Sequence, residues 1–106
     1  MTSGSDDRPL LITGAAGQLG SAVVTACATR GVRAAGLTRA ELDIADPAQV
    51  ARVLEELAPR AIINCAAYTD VDGAETDRDG AIHVNATAVR VLAEAASSRG
   101  IHLVQV

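Results

Sequence analysis

Lysine, tryptophan and phenylalanine are absent from this chain of 106 residues, and tyrosine occurs once. All nine basic residues are therefore arginines. Because aromatic rings are so scarce, the hydrophobic core has to be built from alanine, valine, leucine and isoleucine, which suits thin layers of helix packed closely on sheet. No lysine amine is available for chemistry within these residues.

Concentrated positive charge and long apolar runs are also missing. Thirteen acidic residues outnumber the nine arginines and give a formal net charge of -4, whereas nucleic-acid-binding domains carry a basic patch. No apolar segment approaches the roughly 20 residues that cross a membrane, and the polar start "MTSGSDDRP" is unlike a signal peptide. We therefore expect no nucleic-acid partner, no membrane partner and a cytoplasmic location. Cys27 and Cys65 lack the spacing of a redox or metal motif, so we expect two reduced, packed thiols.

The order of apolar runs and glycines predicts one domain at residues 9–106 after a disordered tail at residues 1–8. Short apolar runs predict strands at residues 9–13, 32–37, 61–64 and 101–106. Helices are predicted at residues 18–29, from residue 47 until Pro59, and at about residues 80–98. The second helix has the clearest start, with Asp46 as N-cap, Pro47 in the first turn and Gln49 completing a capping box.

Helical periodicity predicts which side of each helix is buried. The predicted inner faces are Leu19, Val23, Ala26 and Cys27 in the first helix; Val50, Val53, Leu54 and Leu57 in the second; and Ile82, Asn85, Ala86, Val89, Leu92, Ala93 and Ala96 in the third. Alternating strands and helices predict a doubly wound α/β fold with a parallel sheet, the Rossmann type. The run "ELDI" at residues 41–44 is predicted as a short edge strand, which would give the strand order 3-2-1-4-5.

The stretch "TGAAGQLG" lies between the first strand and the first helix and places three glycines at motif spacing. Gly14 permits a tight turn, Gly17 allows a pyrophosphate to approach the backbone, and Gly20 allows close packing of helix on strand. The pattern therefore predicts a dinucleotide-binding loop, and the alternative is a purely structural turn.

The tip of the second strand predicts which nicotinamide cofactor is bound. An acidic residue there would bind the ribose hydroxyls of NADH, whereas Arg39 is complementary to a 2'-phosphate, so we favour NADPH while NADH remains open. Arg39 could instead be a solvated surface charge. Asp43 and Ile44 follow where an adenine ring would lie, although Asp43 could equally be a turn residue.

Three further polar residues require an interpretation. Asn85 is the one polar residue on the predicted apolar face of the third helix. Its side-chain amide therefore either reaches the cofactor or makes structural hydrogen bonds within the protein. His83 and His102 have no neighbours typical of a catalytic or ligating histidine. We assign neither a catalytic role.

The stretch "NCAAYTDVDGAE", followed by "HVNATAV" and combined with "GQLG" and "LTRAELDI", resembles the dTDP-4-dehydrorhamnose reductase family of extended short-chain dehydrogenases/reductases. The resemblance covers nearly all of residues 9–106. It implies that Ala66, Ala67 and Tyr68 lie along the cofactor, with Thr69 facing the substrate. Asp72 and Glu75 precede a predicted helix, and we assign them a structural role as caps at its positive end. Together with the motif above, the predicted cofactor-binding set is Gly14, Gly17, Gln18, Leu19, Gly20, Arg39, Asp43, Ile44, Ala66, Ala67, Tyr68 and Asn85.

The reaction that the resemblance implies is NAD(P)H-dependent reduction of the C4 ketone of dTDP-4-dehydro-L-rhamnose. In the family a tyrosine donates a proton, the lysine that follows it in a Tyr-x-x-x-Lys pair lowers its pKa, and a serine or threonine orients the ketone. A homodimer is one assembly that the resemblance allows, and family members use magnesium at a dimer contact, for which these residues offer no carboxylate cluster.

The sequence departs from the family at the catalytic pair. Because the chain has no lysine, a Tyr-x-x-x-Lys pair cannot be formed from these residues, and we expect the family's sugar-binding domain to lie outside them. We therefore predict a dinucleotide-binding part of such a reductase that is inactive alone. The alternatives are a non-catalytic regulatory module and a reductase for another dTDP-deoxysugar.

Overall fold

The computed structural model describes residues 8–66 and 78–106, and the side chains of residues 78–85 are outside the description. Four strands and three helices alternate along this part of the chain. The elements are β1 (Leu10–Thr13), α1 (Gln18–Thr29), β2 (Ala34–Leu37), α2 (Pro47–Leu57), β3 (Ala61–Asn64), α3 (Arg78–Ser98) and β4 (His102–Gln105). The predicted bounds of α1 and β3 are confirmed.

The four strands form one parallel sheet in the order β2-β1-β3-β4. In register, Ile12 lies between Gly36 on β2 and Ile63 on β3. Successive strand residues face opposite sides of a sheet, so Leu11 and Ile12 belong to different layers. Both are fully buried, which requires helices on both faces and confirms the doubly wound α/β prediction.

The larger of the two layers lies between the sheet and helices α2 and α3. Its buried residues include Leu11 and Ile62 from the sheet. Helix α2 contributes Val50, Val53 and Leu54 with Leu57 at the margin, so its predicted face is confirmed. Helix α3 contributes Ala88, Leu92 and Ala96.

Helix α1 covers the opposite face. A β-carbon on Gly36 would stand 2.8 Å from Cγ2 of Val24, so the absence of a side chain at Gly36 lets α1 lie close to β2. The predicted face of α1 is partly wrong, because the buried residues are Gly20 and Cys27, while Leu19 is 47% exposed and Ala26 is exposed. On α3, the predicted inner residue Ala86 is exposed and Ala88 is buried instead.

The predicted edge strand at residues 41–44 is wrong. The backbone N–H groups of Glu41 and Leu42 both donate to the Thr38 carbonyl, at 3.0 and 2.9 Å, and Asp46 N–H donates to the Asp43 carbonyl. The segment therefore satisfies its hydrogen bonds in local turns. Its alternating apolar residues, Leu42 and Ile44, instead bury their side chains in the larger core layer.

Helix ends explain why β2 and β4 begin later than predicted. After α1, Gly31 takes a φ of 70° and Val32 N–H donates to the Cys27 carbonyl at 2.9 Å. The same arrangement follows α3, where Gly100 has a φ of 66° and Ile101 N–H donates to the Ala96 carbonyl. These bonds are typical of the Schellman motif, so the residue after each glycine belongs to the helix end rather than the strand.

Candidate functional site

A cleft of about 320 Å³ lies at the carboxyl ends of the strands, where ligands bind in doubly wound sheets. It is bounded by the loop between β1 and α1, the turn after β2 and the residues after β3. The lining residues are Gly14, Ala16, Gly17, Gln18, Leu19, Gly20, Arg39, Leu42, Ile44, Cys65 and Ala66. The structure therefore brings eight of the twelve predicted cofactor-binding residues together.

Two of the three motif glycines are required by the fold itself. Gly14 has a φ of 67°, and a β-carbon there would stand 2.7 Å from Cα and N of Ala66. A β-carbon on Gly20 would collide with the Gly14 carbonyl group, whose carbon would be 2.7 Å away. The backbone of the loop thus contacts both α1 and the segment after β3, which leaves no space for side chains.

Gly17 differs from both neighbours in the motif. Its conformation is extended, with φ of -77° and ψ of 172°, and a β-carbon would meet only the Gly14 oxygen, at an ordinary 3.5 Å. The protein itself tolerates a methyl group at this position. The free space in front of Gly17 belongs to the cleft, so this glycine suits a ligand that approaches the backbone.

The first turn of α1 faces the same space and lacks a competing anion. Gly17 is the N-cap and supplies no side-chain hydrogen bond, and no acidic residue occurs in the first turn. The first N–H groups of a helix have no intrahelical partners and carry a partial positive charge. The amino-terminal end of α1 can therefore bind a phosphate group.

The turn after β2 carries the cleft's positive charge. Leu37, the last residue of β2, accepts a hydrogen bond from Ala15 N–H at 3.1 Å, which joins the strand to the glycine loop. Arg39 follows two residues later on the cleft. Thr38 N–H donates to Oε1 of Glu41 at 2.9 Å, and this bond lowers the pKa of the exposed Glu41 carboxyl below its ordinary value of 4.5.

Ile44 lies on the cleft as predicted, whereas Asp43 is not among the lining residues. Oδ1 of Asp43 accepts a hydrogen bond from Ala45 N–H at 3.0 Å, and Asp43 N–H donates to Oε1 of Gln49 at 3.1 Å. Asp43 therefore acts as a turn residue in this structure, the alternative weighed above. Its contact with an adenine amino group stays a prediction.

Beneath the cleft, a buried hydrogen-bond network joins the tips of three strands. The hydroxyl of Thr13 on β1 donates to Oδ1 of Asn64 on β3, and the same oxygen accepts from Ala66 N–H at 3.2 Å. Nδ2 of Asn64 donates to Oε1 of Gln105 on β4 at 2.8 Å. Thr13 and Asn64 are 1% and 0% exposed, so the network fixes the position of Ala66 from below.

Ala16, Leu42 and Cys65 line the cleft although the sequence did not assign them to the site. Cys65 lies between Asn64 and Ala66 at the end of β3, a position that could have been inferred from the strand tip. Burial raises the pKa of its thiol above the ordinary 9.0. Both cysteines are free thiols, which agrees with the prediction of reduced side chains.

Several predicted residues cannot be placed. Ala67, Tyr68, Thr69, Asp72 and Glu75 lie outside the described residues, as does most of the disordered tail predicted at residues 1–8. Asn85 and His83 belong to α3, but their side chains lie outside the description. His102 is exposed at the amino end of β4, away from the cleft.

Two kinds of site are not found in the described part of the chain. Residues 8–66 and 78–106 contain no group of three or more histidine, cysteine, aspartate or glutamate side chains arranged to hold a metal ion. Over the same described ranges, no helix combines the length and apolar character needed to cross a bilayer.

A parallel sheet with a glycine loop at the carboxyl end of its first strand defines a Rossmann-type dinucleotide-binding domain. Residues 8–106 match the family described as "RmlD substrate binding domain", and the chain belongs to that family.

Sequence similarity to named proteins supports the membership in this family. The dTDP-4-dehydrorhamnose reductase of Mycobacterium tuberculosis is 44% identical over 104 residues, which cover 98% of this chain and 33% of that protein. A probable dTDP-4,6-dihydroxy-2-methyloxan-3-one 4-ketoreductase of Streptomyces antibioticus is 48% identical over 84 residues, covering 79% of this chain and 28% of the relative. The chain thus spans about a third of the length of these relatives.

A solved structure has a closely similar fold. The dTDP-4-dehydrorhamnose reductase of Bacillus anthracis, crystallised in complex with NADP, has a TM-score of 0.80 and 38% identity. The match covers 91% of this chain and 34% of that structure.

Proposed function

We propose that the chain is the NADPH-binding portion of a reductase that converts dTDP-4-dehydro-L-rhamnose to dTDP-L-rhamnose. The observation that carries the proposal concerns Gly17, an extended residue at the start of α1. The packing of the protein does not require a glycine at this position, and the absence of a side chain leaves the cleft open there. The relatives named as dTDP-4-dehydrorhamnose reductases, one of them crystallised with NADP, support the choice of cofactor and sugar.

The residues on the cleft fit a dinucleotide. The N–H groups at the start of α1 would bind the pyrophosphate, and Arg39 would pair with the 2'-phosphate of the adenosine ribose. Leu42 and Ile44 offer an apolar wall for the adenine ring. Ala66 leaves room for the ribose on the nicotinamide side. Once bound, the nicotinamide supplies the hydride for a ketone.

Proton donation to the reduced ketone needs groups that the 106 residues do not include. A tyrosine with a lysine partner cannot be assembled from a sequence without lysine. We infer that this chain by itself binds the cofactor without turning over the sugar nucleotide, and that catalysis requires residues outside it.

The test uses the natural polypeptide that carries this sequence. NADPH binding is followed through the cofactor's own fluorescence. Oxidation of NADPH is then measured with dTDP-4-dehydro-L-rhamnose, and the product is identified by NMR. We expect binding and formation of dTDP-L-rhamnose, with Gly17→Ala weakening both. Failure to bind NADPH would refute the proposal, and binding without any turnover would favour the non-catalytic module.

A second candidate is a 4-ketoreductase for a different dTDP-deoxysugar. The 48% identity to the Streptomyces antibioticus protein favours it. The same assay with other dTDP-4-keto sugars separates the two candidates, because the preferred substrate is the one with the highest kcat/KM.

A further inference from the structure

The tip of β2 carries a carboxylate as well as the Arg39 cation. Thr38 is the first residue after β2, and its N–H group donates to Oε1 of Glu41 at 2.9 Å. The Thr38 carbonyl accepts from the N–H groups of Glu41 and Leu42 in return. These three bonds close a turn that contains both Arg39 and Glu41.

This turn borders the cleft directly. Arg39 and Leu42 both line the cleft, and Glu41 lies between them in the sequence. The Glu41 carboxylate is exposed and is held by a backbone donor at the strand tip. A charge-assisted bond of this kind favours the ionised carboxyl, so the negative charge is present at neutral pH.

The two nicotinamide cofactors differ in the group that they present at a β2 tip. NADH presents ribose hydroxyls, which donate hydrogen bonds to a carboxylate, whereas NADPH presents a 2'-phosphate, which accepts them and is negatively charged. A carboxylate at this place attracts the first and repels the second. The Glu41 carboxylate also accepts the hydrogen bond from Thr38 N–H, so this donor is not available to a phosphate oxygen.

We propose that Glu41 is a specificity-determining residue that lowers the preference for NADPH over NADH. This inference rests on the proposed role of the chain in NADP(H) binding. Arg39 and Glu41 then act in opposite directions on the same ribose. Removal of the Glu41 charge is expected to raise the NADPH preference. Because both charges are exposed to water, we expect a change of about three- to tenfold at low salt, which shrinks as salt is added.

The experiment compares three variants of the natural polypeptide. Glu41→Gln removes the charge while its amide oxygen can still accept from Thr38 N–H, and Glu41→Ala removes both charge and acceptor. Glu56→Gln is the matched control, since Glu56 is an exposed residue near the end of α2, where the chain leads into the amino end of β3, whereas the cleft lies at the carboxyl ends of the strands. The dissociation constants of NADPH and NADH are measured for each by cofactor fluorescence at low and high salt.

The expected result is a rise of about three- to tenfold in the NADPH-to-NADH affinity ratio for Glu41→Gln, with the control unchanged. Equal weakening of both cofactors would show that Glu41 only holds the turn, and would overturn the proposal. An unchanged ratio in Glu41→Gln would also overturn it, while the proposed function would stand. If the unaltered protein binds neither cofactor, both proposals fail together.

Discussion

The carbonyl group of Gly14 occupies the space that a β-carbon on Gly20 would need, so the glycine loop and the first turn of α1 are in backbone contact. Gly17, between them, has no such neighbour. We therefore predict that Gly20→Ala destabilises the protein by about 2–3 kcal/mol, because overpacking forces the backbone apart. Gly17→Ala should cost less than about 1 kcal/mol, the difference between glycine and alanine as N-caps.

Urea unfolding and NADPH titration together check this prediction. The Gly17→Ala protein should unfold near the urea midpoint of the unaltered protein yet bind NADPH at least about tenfold more weakly, since the methyl group points into the cleft. Comparable loss of stability in both variants would contradict the distinction between a glycine required by the fold and one required by the ligand.

The hydroxyl of Thr13 and the amide of Asn64 should behave as one unit. Thr13→Val removes a donor without changing the shape and is expected to cost about 1 kcal/mol, while Asn64→Leu leaves buried partners unsatisfied and is expected to cost about 2–3 kcal/mol. The double variant should lose less than the sum, because the partners are shared. Exposed Thr25→Val on α1 serves as the control and should change the free energy of unfolding by less than about 0.5 kcal/mol.

The end of α2 offers a stabilising substitution. Ala58 has a φ of 45° and a ψ of 56°, the left-handed conformation in which glycine has no β-carbon penalty. We predict that Ala58→Gly raises the free energy of unfolding by about 0.5–1 kcal/mol. The same substitution at Ala51, in the middle of α2, should lower it by about 1 kcal/mol. Thermal unfolding of the two variants would show opposite shifts, and shifts of the same sign would contradict this account.

Cys65 should report cofactor binding through its reactivity. Burial raises the pKa of this thiol, so at pH 7 it is protonated and alkylation by iodoacetamide is slow. The rate should increase with pH as the thiolate forms, and should reach half of its maximum only above the ordinary thiol pKa of 9.0. Because Cys65 lines the cleft, NADP should slow the alkylation further, whereas buried Cys27 should show no dependence on NADP. Mass spectrometry of the two peptides distinguishes these cases, and equal rates with and without NADP would count against Cys65 lying under the cofactor.

Local signals in the sequence predicted the doubly wound fold and most of the cleft lining. The N-cap Asp46 and the stripe on α2 were predictable because capping and periodicity act within a few residues; Oδ1 of Asp46 accepts from Ala48 N–H and Gln49 N–H as expected. Gln49 departs from a simple capping box, since its Oε1 accepts from Asp43 N–H rather than Asp46 N–H. That bond depends on the turn before the helix.

The wrong and missing predictions concern residues whose surroundings are set by the tertiary fold rather than by their neighbours in sequence. Leu19 was assigned both to the buried face of α1 and to the cofactor-binding set; it is 47% exposed and lines the cleft, so only the burial prediction is wrong, because a helical pattern cannot distinguish a cleft from a core. Leu42 and Ile44 alternate as a strand would, yet local turns satisfy the backbone and the side chains fill the core under α2. The network of Thr13, Asn64 and Gln105 joins residues far apart in sequence, so only the tertiary fold reveals it.

The central place of β1 in the sheet has a consequence for how the molecule is made. Leu10 pairs with Ala34 on one side and with Ala61 on the other, so the strand synthesised first waits for its second neighbour until more than fifty further residues exist. Contacts between distant parts of a chain form slowly, because a long loop must close before they stabilise anything. The wall of the cleft at Ala66 is made later still. A ribosome-bound chain that stops short of β3 therefore has the glycine loop but no cleft for a cofactor to enter.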